Sequence, residues 1–311
     1  MRLAPWLTAV CLLTPWAAIA QTMPPAGPGP TIAAASAWVE EASTDCGDGP
    51  VCLGARFSLL NSAMAVFMGL PCTDAGSCGP AEIGLRDQAT AVYTAVKARS
   101  RDARMPLTAD ALADSGTDAA GFSATLDSWI SAGQGDCGLG RRLCVLGQLW
   151  LLTQADQAAR SGPPCKEGAD CQAARLTLMR QTDQRLDAPK RRILTLMPWP
   201  LSTTWGPAAS NGAWLLVQHA DADPAYQQRE LGILLSQATL PPDERRHAAY
   251  LIDRLATAFQ REQVYGTQGR CDERRWVLLP TRDPSHLDDR RHAAGLKPMA
   301  AYQKETAVLC Q

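Results

Sequence analysis

The sequence predicts a mainly α protein: disulfide-braced helical hairpins in two tandem copies, then a C-terminal helical domain with a short two-stranded β-hairpin. Three observations predict it. Long stretches rich in Ala, Leu and Gln and free of proline alternate with short loops of Gly, Asp and Pro. Cysteines bracket those loops in close pairs, and the landmarks recur at a constant offset along the first 190 residues.

The chain opens with Arg2 and an apolar run from Leu3 to Ile19 that ends in Ala18-Ile19-Ala20, a small-x-small cleavage signature, so residues 1–20 read as a signal peptide. Cys11 lies inside the apolar run behind bulky Val10, which argues against a lipid anchor. No later segment has the eighteen unbroken apolar residues of a membrane span, so no stable anchor is expected after cleavage and the location is periplasmic or secreted. Residues 21–30, rich in Pro and Gly, read as a disordered leader.

Residues 31–187 hold the duplication, with copies at about 31–100 and 121–187. Trp38 to Trp129 is 91 residues, Cys46 to Cys137 is 91, Cys52 to Cys144 is 92, and Cys72 to Cys165 and Cys78 to Cys171 are both 93. Each copy reads as helix, cysteine loop, helix, cysteine loop, helix. Local spacing pairs Cys46 with Cys52, Cys72 with Cys78, Cys137 with Cys144 and Cys165 with Cys171, and Cys271 with Cys310 follows by elimination. No Cys-x-x-Cys occurs, which favours disulfides in an oxidising compartment over a metal site.

Past Asp187 the texture changes. Pro189, Pro198 and Pro200 mark residues 188–205 as a connection, and 188–311 as a second domain. Ala208 to Val217 is a helix apolar on every side. Asp223-Pro224 caps the next, and a third opens at Pro242. In that third helix Asp253 is expected to face water and Arg254 to lie on the flank of the core. Gln263–Gln268 and Arg275–Leu279 suggest two strands joined around Cys271, and Asp283-Pro284 caps a last helix running toward Gly295.

Charge excludes little but is informative about partners. Without Arg2 the balance is 29 basic to 31 acidic residues, which gives no electrostatic footprint for nucleic acid. No phosphate-binding glycine loop, Gly-x-Ser-x-Gly, His-Glu-x-x-His or acidic calcium loop is present, and no cofactor is implied. The densest polar clusters are Gln218-His219-Ala220-Asp221-Ala222-Asp223 and Gln263-Val264-Tyr265-Gly266-Thr267-Gln268.

These clusters, with Trp199-Pro200, Ala213-Trp214-Leu215, Asp223-Pro224, Ala249-Tyr250-Leu251, Asp253-Arg254, Asp283-Pro284, Asp289-Arg290-Arg291, Gly295-Leu296 and Tyr302, resemble the bacterial domain of unknown function 6624 over about residues 180–303. The resemblance implies a shared domain and a set of positions, and no reaction.

Each position has a structural alternative. His219 either caps a helix C-terminus or moves protons. Asp223 and Asp283 read first as N-caps. Asp221, two residues beyond His219, is placed to orient the imidazole or help hold a metal. Gln218, Arg254, Gln263, Tyr265, Gln268, Asp283 and Arg290 are the candidate ligand contacts. Of Arg290 and Arg291, one is expected in solvent and one inward, while His247, His286 and His292 read as surface positions. The expected function is a binding or interaction module with a polar pocket in the C-terminal domain and an unknown partner. The alternative is a hydrolase with His219 as general base oriented by Asp221, or a metal-dependent variant using His219 with Asp221 or Asp223. If these candidates share one site, their side chains must converge on one pocket.

Overall fold

The computed structural model describes residues 23–69, 79–103, 105–163 and 169–310 of the 311-residue chain. The expected signal peptide, the Cys72–Cys78 pair and Cys165 lie outside them. Cys171 is disulfide-bonded.

Two sets of three helices come first. The first is α1 (Ile32–Ser43), α2 (Pro50–Met68) and α3 (Pro80–Asp102). A short α4 (Ala109–Ala113) precedes the second set: α5 (Ala119–Ala132), α6 (Arg141–Ser161) and α7 (Ala169–Thr195). Local chemistry sets the ends. Thr31 accepts from the Ala34 N–H at 3.2 Å and Asp118 from the Gly121 N–H at 2.8 Å, each covering an amide that the first turn leaves open. Pro50 and Pro80 start helices where a missing N–H costs nothing.

The α1–α2 and α5–α6 loops are built alike. Asp45 accepts from the Gly47 N–H and Asp136 from the Gly138 N–H, both at 3.1 Å, and both glycines have positive φ. The Cys46–Cys52 and Cys137–Cys144 disulfides close these loops, with Cα separations of 5.7 and 5.8 Å.

The middle helices α2 and α6 cross at the centre of the first core. A side chain at Gly147 would meet the Val51 carbonyl oxygen at 1.9 Å, so only glycine lets the backbones approach this closely. Pro50–Met68 is long and apolar enough to cross a membrane, but residues 51–60 are buried against neighbouring helices, as a core helix requires.

Pro189 does not end α7, which runs on to Thr195; the expected 188–205 connection shrinks to the stretch after it. Proline in a helix interior costs about 3 kcal/mol. Leu186 and Ile193, buried on either side, and the pairing of Asp187 with Lys190 and Arg191 hold the helix together across it.

Beyond it lie α8 (Ser202–Trp205), α9 (Pro207–Gln218), α10 (Pro224–Leu235) and α11 (Pro242–Ala258). Strands β1 (Gly269–Asp272) and β2 (Arg275–Leu278) pair antiparallel with Cys271 opposite Trp276. A 3₁₀ turn at Pro284–His286 leads into α12 (Leu287–Ala293), and α13 (Met299–Thr306) precedes a last 3₁₀ turn. The Cys271–Cys310 disulfide ties β1 to that turn. The hairpin thus begins at Gly269; residues 263–268, expected as its first strand, form a loop instead.

Helix α9 joins two cores. Ala209, Ala213 and Leu216 complete the core of the six-helix part, while Val217 and Ala220 enter a second core with Tyr226, Leu234, Ile252 and Val264. Glu244, fully buried on α11, fastens the junction by accepting from the Ser202 N–H and hydroxyl and from the Ser210 hydroxyl.

The leader is not disordered from residue 23 onward. The Gly27 N–H donates to the Leu240 carbonyl at 2.8 Å, the Leu240 N–H donates to Pro25, and Arg245 holds the Pro24 carbonyl. Proline's fixed φ favours an extended chain, and paired to a fixed edge that chain gains hydrogen bonds at little entropic cost.

Candidate functional site

His219 occupies the C-cap of α9, its N–H donating to the Leu215 carbonyl at 3.0 Å. Its side chain leaves the helix for α6. His219 Nδ1 lies 2.8 Å from Asp156 Oδ2 and 2.8 Å from Arg160 Nε. Arg160 Nη2 donates to Asp156 Oδ1 and to Asp183 Oδ1 on α7, both at 2.9 Å. Asp156 is 2% exposed and Asp183 about a third.

Burial alone would raise the Asp156 carboxyl. The hydrogen bond from His219 and the charges of His219 and Arg160 outweigh it and hold this carboxyl below the ordinary carboxylate range. Half-buried Asp183 goes the other way: desolvation pushes it up and Arg160 offsets only part of that.

Nδ1 can serve one of these two partners at a time. As an N–H donor to Asp156 it leaves Nε2 a base; as an acceptor from Arg160 it leaves Nε2 a donor. Nε2 has no protein partner in either state among the described residues. Beside it, α7 and the 219–223 turn wall a groove of about 440 Å³, with Arg180, Asp183, Asp187, Lys190, Asp221 and Asp223 among its lining residues.

Asp221 does not orient His219. Its carboxylate, 60% exposed, turns toward α11 and α10, 3.2 Å from Arg254 Nη1 and 3.4 Å from Gln227 Nε2. Gln218 stands against Arg254, and with its amide turned so that the oxygen faces the guanidinium it accepts from Arg254 Nε and Nη2 at 2.8 Å. Gln227 also donates to the Val217 and Gln218 carbonyls, covering acceptors that the end of α9 leaves open. Asp223 is the N-cap the sequence predicts, accepting from the Tyr226 N–H at 3.0 Å, and Arg191 pairs with its other oxygen at 2.8 Å.

The second motif builds a separate structure around Asp253. This residue faces inward at 0% exposure and not water. It accepts from the Val264, Tyr265 and Thr267 N–H groups and the Thr267 hydroxyl at 2.7–3.2 Å. Desolvation raises its carboxyl, against the pull of those donors. Gln263 is consumed in the same loop: its Nε2 donates to the Gln268 and Leu279 carbonyls and its oxygen accepts from the Gln268 N–H. Gln268 Nε2 donates to Thr267 Oγ1 at 2.9 Å, and Tyr265 is buried in the second core.

Neither arginine of the Arg290–Arg291 pair stands free in solvent. Arg290 donates to the Val264, Arg282 and Asp283 carbonyls, and buried Arg291 to the Tyr265 and Lys297 carbonyls. Asp283 has left-handed φ and makes no cap bond; its carboxylate takes Ser285 and His286 instead. His286 and His292 are exposed, but His247 is 8% exposed and stacked on Trp214, ring centroids 4.6 Å apart.

The candidates therefore do not share one pocket. His219 and Asp221 line the groove, Gln218 and Arg254 stand behind Asp221, and Gln263, Tyr265, Gln268, Asp283 and Arg290 shape the 263–268 loop. Sequence reading missed Asp156, Arg160 and Asp183. Asp156 and Arg160, opposite charges one turn apart in α6, were the available signal. Among the described residues no three His, Cys, Asp or Glu side chains converge on a point, so the metal-dependent variant has no ligand set there.

Fold and site define a disulfide-bonded helical protein organised around a buried carboxylate–arginine–histidine cluster, and its disulfides are consistent with life outside the cytoplasm. The sequence profile of a family of unknown function (DUF6624) matches residues 145–307, more than half of the chain. The chain belongs to that family. No curated protein and no solved structure matches it. The match starts well before residue 180, the onset expected from the motifs, and takes in the α6 and α7 residues that hold His219.

Proposed function

We propose that this is an exported binding protein whose site is the groove at the end of α9, with His219 as its polar anchor. One observation carries the reading: Asp156 and Arg160 engage Nδ1 of His219 and leave Nε2 unpaired on a residue that lines a groove of small-molecule size (roughly 300–1,000 Å³). The groove's carboxylates have cations of their own: Asp183 has Arg160, Asp187 has Lys190 and Arg191, Asp221 has Arg254, and Asp223 has Arg191. Such walls suit a small ligand bearing both charge signs, such as an amino acid or short peptide. Residues 1–20 act as the signal peptide in this reading. The duplicated segment 31–187 supplies, through its second copy, the wall and the anchor's partners, and residues 188–311 supply the anchor.

The Asp156–His219 contact supports a second reading, a hydrolase in which Asp156, in place of Asp221, orients His219 as base toward a water. No serine, threonine or cysteine lines the groove to carry a covalent step, so the hydrolase would rest on an activated water alone, and binding is preferred.

The test is a ligand-detected NMR screen of zwitterionic amino acids and di- and tripeptides, repeated with His219→Gln and Asp156→Asn. Binding that weakens about tenfold or more in His219→Gln while the melt is retained supports the reading. Binding indifferent to His219→Gln rejects it, and turnover of a bound peptide moves the assignment to the hydrolase.

A further inference from the structure

Six positions that carry the family resemblance take no part in the His219 groove: Trp214, Tyr250, Arg291, Gly295, Leu296 and Tyr302. All six line another hollow, of about 570 Å³, walled by α9, α11, α12 and α13 and lying wholly within the residues that the family profile matches. A volume of that order accommodates a small molecule.

Two side chains in its wall point to a ligand and to that ligand's charge. Arg291 is the first. It is 1% exposed, and burial pulls its guanidinium below the ordinary value. Its Nε donates to the Lys297 carbonyl and its Nη1 to the Tyr265 and Gly266 carbonyls, whereas Nη2 bonds nothing among the described residues. Asp288 and Asp253 act on it only through space, without contact. A buried positive charge held by carbonyl dipoles alone still lacks a counter-charge. The rest of the wall does not supply one. Asp243 pairs with Arg246 and Glu305 with Lys297, so of five charged lining side chains two pairs cancel and Arg291 is left over.

His247 is the second. Its ring is 8% exposed and stacked on Trp214, and Nδ1 is buried with no partner. Burial, helped by the charge of Arg246, pushes this imidazole down to about 3, so it is neutral and carries one proton. An orphaned lone pair costs less than an orphaned N–H, which puts that proton on Nε2. Nε2 also lacks a protein partner among the described residues but, unlike Nδ1, is not sealed off from the hollow. The wall therefore presents an uncharged donor beside its one unmatched positive charge.

We propose that this hollow binds a small organic monocarboxylate, its carboxylate on Arg291 Nη2 with His247 Nε2–H as a further donor, and its body against Pro207, Leu296 and Tyr250. A carboxylate supplies the counter-charge that the guanidinium lacks, through a charge-assisted bond of the stronger kind. A phosphate dianion brings one negative charge too many to a wall that also holds Asp243 and Glu305, and a cation meets its like at Arg291.

The test titrates benzoate and hexanoate, each beside its own carboxamide, into the full chain, read by ligand-detected NMR and by the ring ¹⁵N shifts of the histidines. Saturable binding of at least one carboxylate, about tenfold tighter than its amide and shifting the His247 Nε2 resonance, is expected. Arg291→Gln is expected to cost about tenfold and to abolish the preference for acid over amide. Should that variant misfold, His247→Phe keeps a ring on Trp214, removes the donor, and is expected to cost about threefold. No saturation at millimolar carboxylate, equal affinity for acid and amide, or inorganic phosphate binding where both carboxylates fail would overturn the proposal. So would binding lost in His219→Gln and kept in Arg291→Gln, which would put the anion in the α9 groove.

Discussion

The two halves of the chain hold their loops in opposite ways. In the N-terminal sets the α1–α2 and α5–α6 turns each carry a cystine and an Asx turn, and the Asp45 and Asp136 side chains of those turns are at the surface. In the C-terminal part a titratable side chain is taken inside and surrounded: Asp253 by three amides and a hydroxyl, Glu244 by Ser202 and Ser210, Arg291 by carbonyls. A cystine constrains mainly the unfolded chain, whereas a buried carboxylate selects one loop conformation. The first device tolerates sequence change around it and the second does not.

Removing the strongest buried carboxylate breaks the comparison most directly. Asp253→Ala leaves four donors without a partner and is expected to cost on the order of 4 kcal/mol in urea unfolding. Replacing Cys271 and Cys310 by Ser, which opens a loop of separation 39, is expected to cost about 4 kcal/mol on the entropic model, against about 2 kcal/mol for Cys46 and Cys52. Equal losses in the two pairs would show that chain entropy is not what these bridges supply.

Acid gives a finer probe. His247 is neutral and buried, with its folded value near 3 against 6.5 unfolded. Between those values the unfolded chain binds a proton that the folded one refuses, so this residue's contribution is complete above 6.5 and lost as pH falls toward 3. The expected slope is up to about 1.4 kcal/mol per pH unit. Asp253 and Glu244, raised by burial, act with the opposite sign, so the test is the difference between wild type and His247→Phe across that window. A difference independent of pH would place the imidazole in contact with water. The smallest effect is expected for His219→Gln, within about 1 kcal/mol in thermal melts, because Gln can still accept from Arg160.

Legibility in the sequence followed the range of the interaction. Helix starts at Pro224 and Pro242 and the Asp223 cap depend on neighbours three residues away, and they were readable. Cys46–Cys52 and Cys137–Cys144 were readable for the same reason. His219 was legible as a candidate but its partner was not, since Asp156 is 63 positions upstream, in what reads as another domain. Asp253 was misplaced although Ala249 and Ala256, at i−4 and i+3, are both fully buried and bracket it on one face. The 263–268 loop was read as a strand because its bonds run to a helix and to buried arginines, and no periodicity records that.

The pairing of residues 25–27 with Leu240 sets the order of assembly. During synthesis residues 24–27 emerge first, while Leu240 is more than two hundred residues from being made, and Arg245, which grips Pro24, comes later still. The earliest segment to arrive is thus among the last to find its place, a contact of very high sequence separation and a natural slow step. An affinity tag joined just ahead of residue 23 would sit against the 240–245 turn, so the choice of tagged terminus is itself a perturbation of the second core.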